Sequence, residues 1–292
     1  MDTVNLFIFG AGYSASATIA ALRTQAECAV AATTRADQKR EALQARDIAA
    51  HIFDGIIPGA TLRADLAAAT HLLISIAPGP EGDPVLRQHR ADILAAPNLR
   101  WIGYYSTIGV YGDAGGQWID ETAPPAPLSA RNRYRVEAED AWRALAEEKH
   151  IPLAILRLAG IYGPGRSPFD KLRNGTARRI HKPGQVFNRI HVDDIAAITA
   201  RAALGGVEGT FNVSDDEPAP PQDVIAHAAS LMGAAPPPEI AFAEADLSPM
   251  ARSFYSGNRR VSNAKIKAAL GYELLHPTYR EGHAAIGPNE RD

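Results

Sequence analysis

The sequence predicts an α/β fold: a doubly wound parallel sheet with a smaller C-terminal α/β part. Three observations predict it. Short apolar runs alternate with segments of helical length, beginning with VNLFIFG (4–10) and then residues 14–25. Some runs, HLLISIA (71–77) above all, are apolar throughout, which suits strands buried on both faces of a parallel sheet. A glycine-rich turn, GAGYSA (10–15), joins the first run to the first helical segment. Such alternation favours right-handed strand–helix–strand crossovers.

The elements follow in order. After VNLFIFG, strands are expected at CAVAATT (28–34), AAHIFD (49–54), HLLISIA, LRWIGYYS (99–106), PLAILRLA (152–159) and GTFNVS (209–214). Helices are expected at 14–25, 36–46, 83–95 and 131–149. After Gly165 the pattern changes, and residues 166–189 are loop-like and basic. The helical pattern VDDIAAITARAALG then leads to GTFNVS, and from residue 215 the chain is proline-rich (DDEPAPPQD, GAAPPPEI). A last helix runs from Asn263 to about Leu270, with Gly271 as its stop. There is no internal repeat. Residues 1–165 form the expected nucleotide-binding part, with 186–214 returning to it, and 166–292 form mainly the substrate part.

Bulk properties narrow the classes. A length of 292 residues allows a sizeable core in one large domain or two small ones. Thirty basic against thirty-three acidic residues, a net charge of −3, argue against a nucleic-acid binder. The single cysteine, Cys28, excludes an internal disulfide and fits a reducing compartment. The charged Asp2 stands just before VNLFIFG, a run too short for a leader's apolar region, and no run approaches the roughly 18 residues a membrane span needs. A cytoplasmic protein with a small-molecule substrate and no membrane or nucleic-acid partner is expected.

Gly10, Gly12 and Ala15 spell G-x-G-x-x-A between a strand and a helix, the context the motif requires. The first glycine permits the sharp turn, the second lets a pyrophosphate approach the backbone, and the small third residue lets helix and strand pack closely. The helix N-terminus, with Tyr13 and Ser14 in its first turn, offers N–H groups and partial positive charge to phosphates. The motif is expected to be the dinucleotide site of a Rossmann fold, with a tight turn of purely structural role as the alternative. Roughly 20 residues on, an NAD site carries an acid at the end of strand two. Here the strand end reads Thr33, Thr34, Arg35, without a carboxylate. Arg35 can fork onto a 2′-phosphate, which favours NADP over NAD, although Asp37 remains within range of a ribose. SIAPGPEGD (75–83) follows another strand end, and Ser75, Ala77 and Pro78 are expected to line the cofactor.

Further matches run in order along the chain: SIAP at 75–78, YYSTIGVYG at 104–112, Tyr134 with a helix after it, RLAGIYGPG at 157–165 and RIHVDD at 189–194. With the glycine loop they resemble the extended short-chain dehydrogenases/reductases, the superfamily that includes nucleotide-sugar epimerases and dehydratases. The arginine after strand two and a missing lysine resemble its atypical branch. The resemblance implies a tyrosine that transfers a proton, a lysine four residues on that lowers the tyrosine pKa and holds the nicotinamide ribose, and a hydroxyl that steadies the substrate oxygen. Thr107, with Ser106 beside it, falls at the hydroxyl's position and Tyr134 at the tyrosine's, but Ala138 replaces the lysine. Arg131, three residues before Tyr134, is a candidate for the missing charge. Arg135 points about 100° away from Tyr134 in an ideal helix and is less suited. Lys149 is too far along the helix to help.

The remaining motifs carry less. The basic segment 166–189 either steers an anionic substrate, as its place in the resembling family implies, or is a solvated loop. Arg166, Arg189 and Arg259, the last next to Arg260, are the candidate substrate residues. His191, Asp193 and Asp194 begin a helix; aspartate there is expected to cap free N–H groups, and no metal site is expected. The sequence thus points to an NADP(H)-dependent oxidoreductase or epimerase-like enzyme acting on an alcohol or carbonyl, with Thr107 and Tyr134 as its reacting groups. A non-catalytic dinucleotide-binding sensor or partner-binding protein is the alternative. The lost lysine weakens a nucleotide-sugar epimerase proper. The resemblance also allows a homodimer through the long helix 131–149.

Overall fold

The computed structural model describes residues 3–59 and 61–288. The expectation of no leader at Met1 and Asp2 lies outside the described residues. All seven expected runs become strands of one parallel sheet. They are β1 (Val4–Phe9), β2 (Cys28–Thr34), β3 (Ala49–Ile52), β4 (His71–Ile74) and β5 (Trp101–Thr107), then Leu153–Leu158 and Gly209–Val213. From one edge the order is Gly209–Val213, Leu153–Leu158, β5, β4, β1, β2, β3. β1 pairs in parallel with β2 on one side, Leu6 opposite Val30, and with β4 on the other, Ile8 opposite Leu73. The chain order therefore reverses between β1 and β4, the switch point outside which such sheets bind ligands. Five of the strands end one to three residues short of their runs, which continue into loops, whereas β2 ends with its run and β5 one residue beyond it.

Four helices fall where expected: α1 (Tyr13–Arg23), α2 (Asp37–Gln44), α4 (Pro84–Ala95) and α5 (Ala130–Lys149). A fifth, α3 (Arg63–Ala68), escaped prediction because it buries only Leu66 and so shows no period. Asp83 starts α4: its Oδ1 accepts the N–H groups of Val85 and Leu86 at 2.9 and 3.2 Å, and Pro84 presets the first turn. Its Oδ2 accepts Trp142 Nε1–H at 3.0 Å, which ties α4 to α5. One core cluster joins Phe7, Phe9, Leu72, Ile74 and Ile102 to Ala138, Trp142 and Leu145 of α5.

The chain forms two compact units. The first comprises residues 1–107, 130–157 and 195–211 and carries the sheet, apart from the last residues of the strands Leu153–Leu158 and Gly209–Val213. The second comprises 108–129, 158–194 and 212–292. It is built on three short parallel strand pairs: Gly160–Tyr162 with Arg189–His191, Arg179–His181 with Glu239–Ala241, and Trp118–Ile119 with Arg260–Val261. Its proline-rich stretch holds the helix Pro221–Leu231, because proline at the first helical position costs no hydrogen bond. The helix expected at the C-terminal end runs Ala264–Leu270 and stops at Gly271, whose φ of 54° is left-handed. Among the described residues, no helix is long and apolar enough to cross a membrane.

Candidate functional site

The glycine loop is drawn tight by its own backbone. Gly10 N–H donates to Thr33 Oγ1 at 2.9 Å, and Gly12 N–H to Gly10 O at 2.7 Å. Gly10 has φ 91°, and a Cβ there would lie 2.9 Å from Ile76 Cγ1, so this position needs glycine for the fold itself. Gly12 differs: a Cβ would meet nothing nearer than Gly10 O at 3.9 Å. No side chain caps α1, whose N-cap is Gly12. The space before those N–H groups therefore fits a pyrophosphate rather than any protein atom.

That space opens into a cleft of about 510 Å³ at the ends of β1, β2, β3 and β4. Of the expected cofactor residues, Gly10, Gly12, Thr34, Arg35, Ser75 and Ala77 line it, whereas Tyr13, Ser14, Ala15 and Pro78 do not. Ser14 and Ala15 are buried against the sheet. Ser14 O accepts Thr18 Oγ1–H, and Thr18 Oγ1 lies 2.7 Å from Tyr105 OH, so this turn of α1 is a packing surface. Tyr13 begins α1 half-buried. The cleft adds four charged residues that the sequence reading missed: Lys39, Asp54, Glu81 and Arg87. Lys39 was the most legible of them, a cation in the first turn of α2, just after the strand end that carries Arg35. Glu81 pairs with Arg87 at 2.7 Å. Asp54 Oδ1 accepts the N–H groups of Ile56 and Ile57, which hold its carboxyl below the usual carboxylate range. Asp37, the acid weighed for a ribose, pairs with Arg40 at 3.0 Å and does not line the cleft.

The residues expected to carry the chemistry lie at the end of β5 and on α5. Thr107 is the last residue of β5 and is half-buried. Ser106 beside it is committed elsewhere: its Oγ–H donates to Glu139 Oε1 at 2.6 Å. Glu139 also accepts Arg157 Nε–H and Nη2–H at 3.0 and 2.6 Å and Arg143 Nη2–H at 3.1 Å. The sequence reading missed this network. A charge inside the apolar run LAILRLA was the available signal, because a buried arginine needs an acid partner.

Ala138, at the position expected for lysine, is buried in the core. Tyr134 is half-buried in the second turn of α5, and Arg131 is exposed in the first. Arg135, considered less suited, reaches β5. Its Nη1 donates to Tyr105 O at 2.7 Å and to Tyr104 OH at 3.1 Å, and the guanidinium lies 5.7 Å from the Tyr104 ring centre. Lys149 is fixed at the far end of α5, where Nζ–H donates to Leu94 O and Ala96 O, both at 2.8 Å.

The remaining candidates belong to the second unit. Arg166 is exposed. Arg189 donates to Phe187 O and Ala219 O at 2.9 and 3.1 Å and lies over the Tyr279 ring. Arg259 donates to Gly112 O and Arg260 to Gly116 O. Much of the basic segment holds structure too: Arg179 pairs with Glu239 at 2.8 Å, Arg173 with Asp170, and Lys182 donates to Tyr255 O. Asp194 was expected to cap a helix. Instead it accepts Tyr272 OH at 2.8 Å and the N–H groups of Leu275 and His276 at 2.7 and 3.1 Å, tethering the segment after Gly271. His191, Asp193 and His276 bring potential ligand atoms within 4.8 Å of one another. However, His191 Nδ1 accepts Asp193 N–H at 3.2 Å, which puts the ring proton on Nε2 and leaves no lone pair for an ion.

A parallel sheet with a ligand cleft at its switch point and a glycine loop facing a helix N-terminus defines a dinucleotide-binding α/β protein. Residues 7–214 match the NAD dependent epimerase/dehydratase family, and the chain belongs to it. A solved conserved protein of unknown function from Silicibacter pomeroyi is 47% identical, with 98% of each chain covered and a TM-score of 0.86. The UDP-glucose 4-epimerase of Thermus thermophilus in complex with NAD shares the fold, at 20% identity, 98% of each chain and a TM-score of 0.76. A 3-diazoavenalumate denitrifying reductase from a Streptomyces species is 30% identical over 188 residues, which span 56% of this chain and 57% of that reductase.

Proposed function

We propose that this chain is an NADP(H)-dependent reductase acting on a carbonyl or related electrophilic carbon of a small molecule. The observation that carries the cofactor assignment is the pair Arg35 and Lys39. Both line the cleft, and the end of β2 itself (Thr33, Thr34, then Arg35) carries no carboxylate. Neither has an ion-pair or hydrogen-bond partner among the described residues, whereas the other acids and cations at the cleft are committed to one another or to backbone. Two uncommitted cations lining one cleft suit a 2′-phosphate. When bound, NADP(H) supplies or accepts hydride. Thr107 then stands at the strand end beside the nicotinamide half, where its hydroxyl can hold the substrate oxygen. Tyr134 is the phenol that the family resemblance offers for the proton. A relative whose name denotes a reductase supports the direction of the chemistry.

Fluorescence titration with NADPH and NADH side by side tests this reading. Wild type should prefer NADPH, and Arg35→Ala should weaken NADPH about tenfold or more, the loss of a charge-assisted contact, while leaving NADH nearly unchanged. Equal affinity for both cofactors, indifferent to Arg35, would refute NADP(H) specificity. Tight NADPH binding without oxidation by any of a panel of carbonyl compounds would favour the competing reading, a binding protein without turnover, to which Ala138 lends support.

A further inference from the structure

The direction of Arg135 carries an inference about the other end of the cofactor. Helical geometry fixes which arc of α5 looks at the sheet. At about 100° per residue, the buried residues Ala138, Glu139, Trp142, Leu145 and Ala146 fall between about −80° and +40° from Arg135. Arg135 is therefore inside the buried arc. Tyr134, at about −100°, lies outside it. The contacts agree with the wheel: Arg135 bonds Tyr104 and Tyr105, and Glu139 bonds Ser106, so consecutive turns of α5 grip β5 just before Thr107.

The grip uses only part of the guanidinium. Nη1 spends its two hydrogens on Tyr105 O and Tyr104 OH. Nε–H and the two Nη2–H groups have no partner among the described residues, and the side chain is half-buried. A guanidinium so placed offers three donors in a fixed plane at a sheet edge that binds ligands. The switch point says which part of the ligand lies there. With the pyrophosphate on the glycine loop after β1 and Arg35 after β2, the adenosine half covers β1 to β3. The nicotinamide half then extends the other way, over the ends of β4 and β5.

We infer that Arg135 binds the ribose of the nicotinamide half, supplying from α5 the positive charge and donors that Ala138 cannot, with Tyr134 outside this contact. The inference rests on the dinucleotide reading above. Two probes test it in the full-length chain: NADPH, and adenosine 2′,5′-bisphosphate, which carries the 2′-phosphate but no nicotinamide ribose. Arg135→Met should raise the Kd for NADPH about tenfold or more and leave that for the bisphosphate unchanged. Arg135→Lys should recover part of the loss, and Tyr134→Phe should change neither constant. Unchanged bisphosphate binding also shows that the variant's first unit is folded. If Arg135→Met binds NADPH like wild type, or loses both probes equally while Arg135→Lys does the same, the inference is overturned and the cofactor reading stands. If wild type binds neither probe, both fall.

Discussion

Glu139→Ala is the most informative perturbation of the first unit. Glu139 is fully buried and the Arg157 side chain is 4% exposed, so their 2.6 Å contact has almost no access to water. Removing the carboxylate takes the buried anionic partner from Arg157, and a buried pair broken on one side costs about 3–5 kcal/mol. Arg143 is 38% exposed and can resolvate, so it adds little. Ser106 Oγ loses its acceptor as well. Urea unfolding followed by tryptophan fluorescence reads the loss, because Trp101 and Trp142 are buried in this unit. With an m-value of about 2–3 kcal/mol/M, the midpoint should fall by about 1–2 M. The double change Glu139→Leu with Arg157→Met removes both charges and should recover most of the stability, as buried pairs replaced by apolar residues often do. A midpoint unmoved by Glu139→Ala would refute the reasoning. So would a double variant no more stable than the single one.

Two further predictions separate fold from ligand and set a pH window. Gly12→Ala should leave the unfolding midpoint unchanged and abolish NADPH binding, because φ is −86° and the space ahead of it is free of protein atoms. Gly10→Ala should instead destabilise the fold by about 1–2 kcal/mol, from its left-handed φ and the contact with Ile76. In the second unit, burial, then His227, Arg189 and His191, push His283 down to about 3. Its folded pKa is depressed, so the stability it contributes is present above the unfolded value near 6.5 and is lost as pH falls toward 3. His283→Phe, packed among the rings of Tyr162, Phe169 and Tyr279, should therefore gain on wild type progressively below about pH 6.5 in thermal melts. A constant offset between the two proteins at all pH values would contradict this.

The seven strands and the glycine loop were legible in the sequence because their signals are local. An apolar run bounded by polar turns states its own burial, and G-x-G-x-x-A between strand and helix states its own turn. Arg35 was legible for the same reason: it follows β2 directly, and a missing carboxylate is visible in three residues. Lys39 lies only four residues further along the chain. The chemical half was not legible, because it depends on rotation and distance. Whether Tyr134 or Arg135 looks at β5 depends on the rotation of α5 about its axis, which is set by packing Ala138, Trp142 and Leu145 onto the sheet. A one-residue difference, about 100° of rotation, exchanges one candidate for the other. Glu139 meets Arg157 and Ser106 across separations of 18 and 33 residues, and Asp194 finds its partners beyond residue 271 rather than in its own helix. The sequence by itself determined the fold and where a dinucleotide's phosphates belong, since backbone conformation and hydrophobic period are written residue by residue. Only the tertiary structure decided which charges are spent on the protein and which are left for a ligand, because the partners that spend them come from distant parts of the chain.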